Sequence, residues 1–446
     1  MSDESVPKPG KWPVDPQEDV SVQDDRIWID GCFDFVHHGH AGAMLQARQL
    51  GTELWVGIHS DEAILENKGP TVMNLDERVA AVDACRWSTK SIPHAPYVTQ
   101  LSWISHYGCR YVVHGDDITS DSSGEDCYRF VKQAGRFKIV KRTPGISTTD
   151  LVGRMLLCTR SHFIKSLPNV LTGTEGNGSE DDKKKLGAEM RLRIHEYASD
   201  ESGHKPLVEV WTYIPDQATP EKLVQGVAPA SDQTVVYVDG GFDLFTPGHM
   251  EFLKSVVEAE SAKARSAGWF ESSARDKRVA RQGRDYSPVY LIAGIHDDEV
   301  VNRWKGVNYP IMNIFERGLC VLQCNYISSL VFSAPFSPSK SFLDRLPYKV
   351  TAVYHGPTVS APPGQDPYAE AKSLGIYKEI GSHPYSDINA TSIVDRILRS
   401  RAMYEERQRV KGVKGIGEEA VRRREEMERE KAEQDRKDLE ELEKQR

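Results

Sequence analysis

The stretch Trp28–Leu45, WIDGCFDFVHHGHAGAML, returns later in the same chain as Tyr237–Leu253, YVDGGFDLFTPGHMEFL. Aligned without a gap, the copies agree at Asp30/Asp239, Gly31/Gly240, Phe33/Phe242, Asp34/Asp243, Gly39/Gly248 and His40/His249, and part at His37, which becomes Thr246. Each copy starts as a β-branched and aromatic run, breaks at a glycine and enters helix-forming residues, with Gly51 as a stop in the first copy. That order predicts strand, turn and helix.

Working outward, the first copy is followed by ELWVGIHSD, NLDERVAAVDACRW, YVVHGDD and TTDLVGRMLLC. The second copy runs TVVYVDG, GHMEFLKSVV, VYLIAGIHDDE, IFERGLCVLQC, VTAVYHGPT and INATSIVDRIL. Strands alternating with helices predict parallel strands joined by crossovers. The expected class is α/β, with two tandem Rossmann-like units whose open parallel sheets bind ligands at the carboxyl ends of their strands. The offset between copies grows from 209 at His40/His249 to 237 at Lys68/Lys305 and 239 at Arg78/Arg317. About 28 residues, Glu260 to Ser287, are therefore inserted in the second copy, and their polarity predicts an exposed, partly disordered excursion. The expected organisation is a disordered lead over 1–20, a catalytic domain over 20–165 and a linker over 166–232 containing TGTEGNGSEDDKKK. A second, degenerate unit follows over 233–400 with its insert at 260–287, then a charged tail, disordered or helical, over 401–446.

A chain of 446 residues exceeds one core and has room for two or three domains. The net charge of −9 lacks the basic footprint that nucleic acid binding needs. Seven cysteines, an odd and unevenly spaced set, read as reduced thiols. Cys320 and Cys324 have no second pair nearby to complete a metal site. The first residues lack the pattern of a signal peptide, and no stretch approaches the roughly eighteen apolar residues of a membrane span. A soluble, cytoplasmic protein is expected.

Three elements of the first unit seek phosphate. His37 and His40 sit three apart at a helix start, on one face, where backbone N–H groups and the helix dipole favour anions. Gly39 lets a bulky group approach the backbone. Lys68, beside Gly69, offers a compact cation, and Arg78 a fork suited to phosphate oxygens. KRTPGISTTD brings Arg142, Gly145, Ser147, Thr148 and Thr149 to another helix start. Together they describe a site for a nucleoside triphosphate.

GCFDFVHHGH, NKGPTVMN with its following ER, and RTPGISTTDLVGRM resemble the cytidylyltransferase family, and the duplication resembles those of its members that act on phosphoethanolamine. The likeness covers about 20–160 and 233–400. It implies transfer of a cytidylyl group from CTP to phosphoethanolamine, a step of phospholipid synthesis, with Mg2+ carried by the triphosphate and held by no protein metal site. It also implies CTP binding by Gly31, Cys32, Phe33, His37, His40, Lys68, Arg78, His114, Asp116, Arg142, Gly145, Ser147, Thr148 and Thr149. His37, His40, Lys68 and Arg142 would carry catalysis. Partners are expected to be these small molecules, with room for a homodimer.

The alternative is phosphocholine. A trimethylammonium wants an aromatic cage, a primary ammonium wants acceptors. Choline enzymes of the family resemble AP-W after the middle helix and carry a tyrosine after the HDD strand end. Here HAPY supplies Tyr97 alone, and Thr119 and Ser120 follow HGDD. Asp30 and Asp117 supply acceptors, so Asp30, Tyr97 and Asp117 are the expected phosphoethanolamine residues. Glycerol 3-phosphate, a HIGH-type tRNA synthetase and a non-catalytic scaffold fit less well, given the duplication, the acidic charge and the intact first unit.

The second unit keeps Asp239, Gly240, Gly241, Phe242, His249, Lys305, Arg317 and His355. Thr246, Pro357-Thr358 and INAT (Ile388 to Thr391) replace the first histidine, Asp116-Asp117 and ISTT, and no arginine matches Arg142. It is expected to be a weak site, a nucleotide-binding regulatory unit or a structural half, of which an impaired unit supporting the first is preferred.

Overall fold

The computed structural model describes residues 19–117, 119–306, 309–356, 366–400, 402–404, 406 and 409. Nearly all of the expected lead and tail, and Pro357-Thr358, lie outside the described residues.

The first unit runs β1 (Gln23–Gly31), α1 (His38–Arg48), β2 (Glu53–His59), α2 (Asp61–Lys68), α3 (Leu75–Asp83), β3 (Lys90–Ala95), α4 (Leu101–His106), β4 (Cys109–Gly115), α5 (Arg129–Gln133), β5 (Phe137–Val140) and α6 (Thr148–Leu157). Its sheet has the order β3-β2-β1-β4-β5, and every pairing in it is parallel. The run Ile27-Trp28-Ile29 is buried on both faces, as a strand covered on two sides requires.

Residues 166–232, expected as a linker, carry secondary structure of their own. They form α7 (Leu167–Thr172), α8 (Glu180–Tyr197), β6 (Glu209–Thr212) and β7 (Glu221–Val224). The charged stretch folds because Ser179 and Asp182 close a capping box at the start of α8, while Tyr197 at its end is buried and donates to His38 O at the start of α1.

The second unit continues with β8 (Thr234–Gly240), α9 (Pro247–Ser266), α10 (Ser272–Gln282), β9 (Val289–Ile295), α11 (Asp298–Lys305), α12 (Ile314–Leu322), β10 (Ser329–Phe332), α13 (Lys340–Leu343), β11 (Ala352–His355), α14 (Ala369–Ser373), β12 (Tyr377–Glu379) and α15 (Ala390–Arg399). Its sheet order is β12-β11-β8-β9-β10-β6-β7. The first five strands reproduce the first sheet, β6 extends it in parallel and β7 closes it antiparallel, so this sheet departs from the all-parallel expectation. The insert is helical too. It lengthens α9 and adds α10, which is pinned by Arg278, stacked 4.4 Å over Trp269 and bonded to Asp285 at 2.6 Å.

The units meet reciprocally, in the manner of an isologous dimer. Cys85 and Cys324, equivalent residues, face each other in an antiparallel bridge, flanked by Arg86 N to Gln323 O at 2.7 Å and Asn325 N to Ala84 O at 3.0 Å. Arg154 of α6 grips Glu316 of α12 through two bonds of 2.8 and 2.9 Å and reaches Ile311 O at 3.1 Å. The equivalent Arg396 of α15 grips Glu77 of α3 at 2.7 and 2.8 Å and reaches Val72 O at 3.2 Å. The duplicated halves thus form a pseudo-twofold pair within one chain.

Candidate active site

The turn after β1 carries two aromatic residues in the left-handed region, Phe33 at φ 55 and Phe35 at φ 51. Such strain in bulky residues is held only by surrounding structure and marks a site. Here Asp34, between them and buried, supplies the hold: its carboxylate accepts Val72 N–H at 2.9 Å and Met73 N–H at 3.0 Å. Asp243 does the same for Ile311 and Met312, at 2.7 and 3.0 Å. The role of this aspartate was missed from sequence, although its repetition was the signal.

His37 is the N-cap of α1, its Nδ1 accepting Gly39 N–H at 3.1 Å. A neutral ring so bonded carries its proton on Nε2. The His40 ring stacks on it, centroids 3.9 Å apart, and meets Phe33 edge-on at 5.6 Å. A Cβ on Gly39 would lie 2.8 Å from Ile146 Cγ2 and 2.8 Å from the His37 ring. This glycine therefore lets the histidine turn dock onto the RTPGISTT segment. There Gly145 takes φ 81, Ser147 caps α6 by accepting Asp150 N–H at 3.0 Å, and Thr148 Oγ1 lies 3.4 Å from Asp34 O. Thr149 opens α6 beside it. Two helix N-termini and two imidazoles thus converge.

Lys68 ends α2 and is exposed, its ammonium 5.6 Å above the Tyr97 ring; Gly69 takes φ 85 after it. Tyr97 is buried against His59 at 5.2 Å. Beyond β4, Asp116 and Asp117 meet Arg142, whose backbone N–H reaches Asp116 at 3.3 Å and whose guanidinium reaches Asp117 at 3.4 Å. That ion pair is half-exposed on both sides, so it is weak. His114 packs on Tyr128 at 4.7 Å, and burial lowers its pKa.

Two expected ligands serve the frame instead. Arg78 is fully buried and spends its fork on Met73 O at 3.2 Å, Cys32 O at 2.7 Å and Asp61 at 2.6 Å. It fixes the Cys32 carbonyl and offers no open fork to phosphate. Asp30 is buried under three donors, Trp28 Nε1 at 2.8 Å, Thr99 Oγ1 at 2.7 Å and the Tyr128 hydroxyl at 2.8 Å, which leaves Asp117 the accessible carboxylate of the pair. Gly31 sits at the strand end, where a Cβ would press on the Phe33 ring at 3.3 Å.

The second unit has a cavity of about 200 Å3 in the matching place. Asp239, Gly240, Gly241, Phe242, His249, Lys305 and His355 line it, whereas Arg317 does not. Like Arg78, Arg317 is buried and committed to Met312 O, Gly241 O, His296 O and Asp298. Thr246 caps α9 and turns its hydroxyl to Ile388 O at 2.6 Å, while His249 Nδ1 accepts Thr246 N–H at 3.0 Å. The surviving histidine is drawn into the cap, and burial lowers its pKa to about 3.

Among the described residues no group of three or more His, Cys, Asp or Glu could hold a metal ion. No helix of the described residues is long and apolar enough to cross a membrane.

A parallel sheet with stacked imidazoles at one helix start and a hydroxyl-rich second helix start beside them defines a nucleotidyltransferase, and residues 28–154 match the cytidylyltransferase-like family model. Over most of its length the chain is 41% identical to the ethanolamine-phosphate cytidylyltransferase of Dictyostelium discoideum, covering 88% of this chain and 95% of that protein. The mouse protein of the same name is 39% identical, covering 88% and 90%. A choline-phosphate cytidylyltransferase of the rat is 36% identical over 37% of this chain and 46% of its own length. The chain belongs to the ethanolamine-phosphate cytidylyltransferases.

Proposed function

We propose that the first unit transfers a cytidylyl group from CTP to phosphoethanolamine, giving CDP-ethanolamine and pyrophosphate. The observation that carries this reading is that the His37/His40 stack, the capped Ser147–Thr149 helix start and Arg142 occur together in the first unit only. A phosphate oxygen of phosphoethanolamine bonds to the α-phosphorus, and the bond from that phosphorus to the bridging oxygen breaks. Pyrophosphate leaves with the electron pair. A phosphomonoester, with a second pKa of about 6, is already dianionic near neutrality, so no general base is needed. Rate comes from alignment and from donors placed where charge builds: His37 Nε2–H, the His40 ring, the Lys68 ammonium and Arg142 once released from Asp117. Imidazoles, ammonium and hydroxyls do not fit a hard divalent cation. Magnesium would enter as part of the CTP substrate, and none of these steps is routed through it.

Asp117 is the acceptor for the primary ammonium, and Tyr97, the one aromatic expected there, is too buried to build a cage for a quaternary one. The reciprocal ion pairs support the reading that the second unit holds the first in shape: Arg396 clamps the start of α3 and Arg154 clamps α6. The seven cysteines form no disulfide, which suits a cytoplasmic setting. The test is steady-state turnover with phosphoethanolamine and phosphocholine side by side, in wild type and His249→Ala. A higher kcat/KM for phosphoethanolamine, with activity largely retained in His249→Ala, is expected; preference for phosphocholine would overturn the substrate assignment.

A further inference from the structure

In the first unit both Trp28 Nε1 and Thr99 Oγ1 donate to the same oxygen, Oδ2 of Asp30, and the Tyr128 hydroxyl donates to Oδ1. The second unit keeps one of these three. The Tyr368 hydroxyl donates to Asp239 Oδ1 at 2.6 Å. Trp28 has become Tyr237 and Thr99 has become Pro338. Proline carries no donor, and the Tyr237 hydroxyl lies close enough to influence the carboxylate but outside good hydrogen-bond geometry. Asp239 Oδ2 is left without a partner in a residue only 4% exposed. An orphaned buried acceptor carries its full desolvation cost unless a donor arrives.

Asp239 lines the second-unit cavity together with Lys305, His249, Trp304 and Phe336. With its Nδ1 occupied by Thr246 N–H, a neutral His249 keeps its proton on Nε2. The wall has also turned aromatic: Trp304, in the place of Asn67, stacks on Phe336 at 4.4 Å. Among the polar groups of this cavity, which also include His355, His383, Ser386 and Asn389, the Asp239 acceptor and the Lys305 and His249 donors suit a small zwitterion, with a donor-bearing cation at one end and an anion at the other. The arginine and hydroxyl run that a triphosphate would need are absent from GSHPYSDINAT.

We infer that the second-unit cavity binds a small phosphate ester bearing a primary ammonium, phosphoethanolamine being the one at hand, with Asp239 taking the ammonium and Lys305 with His249 the phosphate. The ligand's identity rests on the substrate reading of the first unit. Turnover of phosphoethanolamine by the wild type tests that reading alone, so the two fail separately.

The test is equilibrium binding of phosphoethanolamine, without CTP, to the full chain as wild type, His40→Ala, Asp239→Asn and Pro338→Thr, with ethanolamine alone and inorganic phosphate alone as further probes. The second-unit component of binding should persist in His40→Ala, and it alone should weaken, at least about tenfold in Asp239→Asn and again in Pro338→Thr, which returns a hydroxyl to Oδ2, while the first unit's component stays unchanged. Ethanolamine and phosphate should each bind less tightly than the ester. Should Asp239→Asn not fold, Pro338→Thr gives the same answer. Three results overturn the inference: binding that is absent from His40→Ala, binding untouched by both second-unit variants, or displacement of the ligand from His40→Ala by CTP.

Discussion

Replacing Arg396 by glutamine removes a clamp that the second unit places on the first. The guanidinium makes two bonds to Glu77 and one to Val72 O, and the Glu77 side chain is 5% exposed while that of Arg396 is 34% exposed. Without the arginine, Glu77 keeps only the Asn74 N–H at 3.2 Å. Stripping one partner from a fully buried pair costs about 3–5 kcal/mol; water reaches the arginine side, which brings the expectation to roughly 1–3 kcal/mol. The loss falls on the segment Val72–Asn74, whose other anchors include Asp34 and Arg78, and this segment follows Lys68 and Gly69 through Pro70 and Thr71. A loosened Lys68 should raise the KM for CTP by about tenfold, equivalent to about 1.4 kcal/mol, with a smaller change in kcat. Urea denaturation and CTP saturation at fixed phosphoethanolamine read the two effects separately. Exchanging the charges, Glu77→Arg with Arg396→Glu, should recover part of both. A variant that loses the expected stability yet keeps its CTP KM within about twofold would refute the idea that the second unit positions the first site.

His40→Ala should lower turnover by roughly two orders of magnitude, the scale of losing one transition-state donor, with the unfolding midpoint nearly unchanged; near-normal activity would remove His40 from the site. Asp34→Asn keeps the size of the side chain but discards a charge-assisted anchor for two backbone N–H groups, so a loss of about 2–3 kcal/mol and a raised CTP KM are expected, to be measured by the same two assays. Burial pushes the Asp239 carboxyl up to about 7 from about 3.9 when unfolded. Between those values the unfolded chain has released a proton that the folded chain still holds, so this group makes stability fall as pH rises from about 4 to about 7. Asp239→Asn should therefore gain on wild type across that window, by at most about 4 kcal/mol, in denaturant titrations at pH 4.5 and pH 8. An equal difference at both pH values would place the carboxyl in water.

Much of the site was legible because its parts are local. A histidine as N-cap, another one turn on and a serine capping α6 are fixed by a few neighbouring residues, and their chemistry shows in spacing alone. Arg78 and Asp30 misled for the same reason: residue type predicts a fork or a carboxylate, but only packing decides whether three neighbours have already used it. The polar segments 166–232 and 260–287 misled in the opposite direction. Their low hydrophobicity suggested a linker and an excursion, yet Tyr197 is tied to His38, 159 positions away, and Arg278 to Trp269 and Asp285, nine and seven positions away, by contacts that composition does not show.

The sequence by itself determined the duplication, the α/β class, the phosphate-seeking character of the first copy and the drift of the second, since each rests on periodicity or on substitutions visible within one aligned stretch. The tertiary structure decided how the copies serve each other. Arg154 with Glu316 and Arg396 with Glu77 are separated by 162 and 319 positions, and the orphaned oxygen of Asp239 arises from changes at Tyr237 and Pro338 that converge only when strands β8 and β10 lie in one sheet. Hydrogen bonds and ion pairs act over a few ångströms of space, whatever the distance along the chain, so their partners had to be seen in three dimensions.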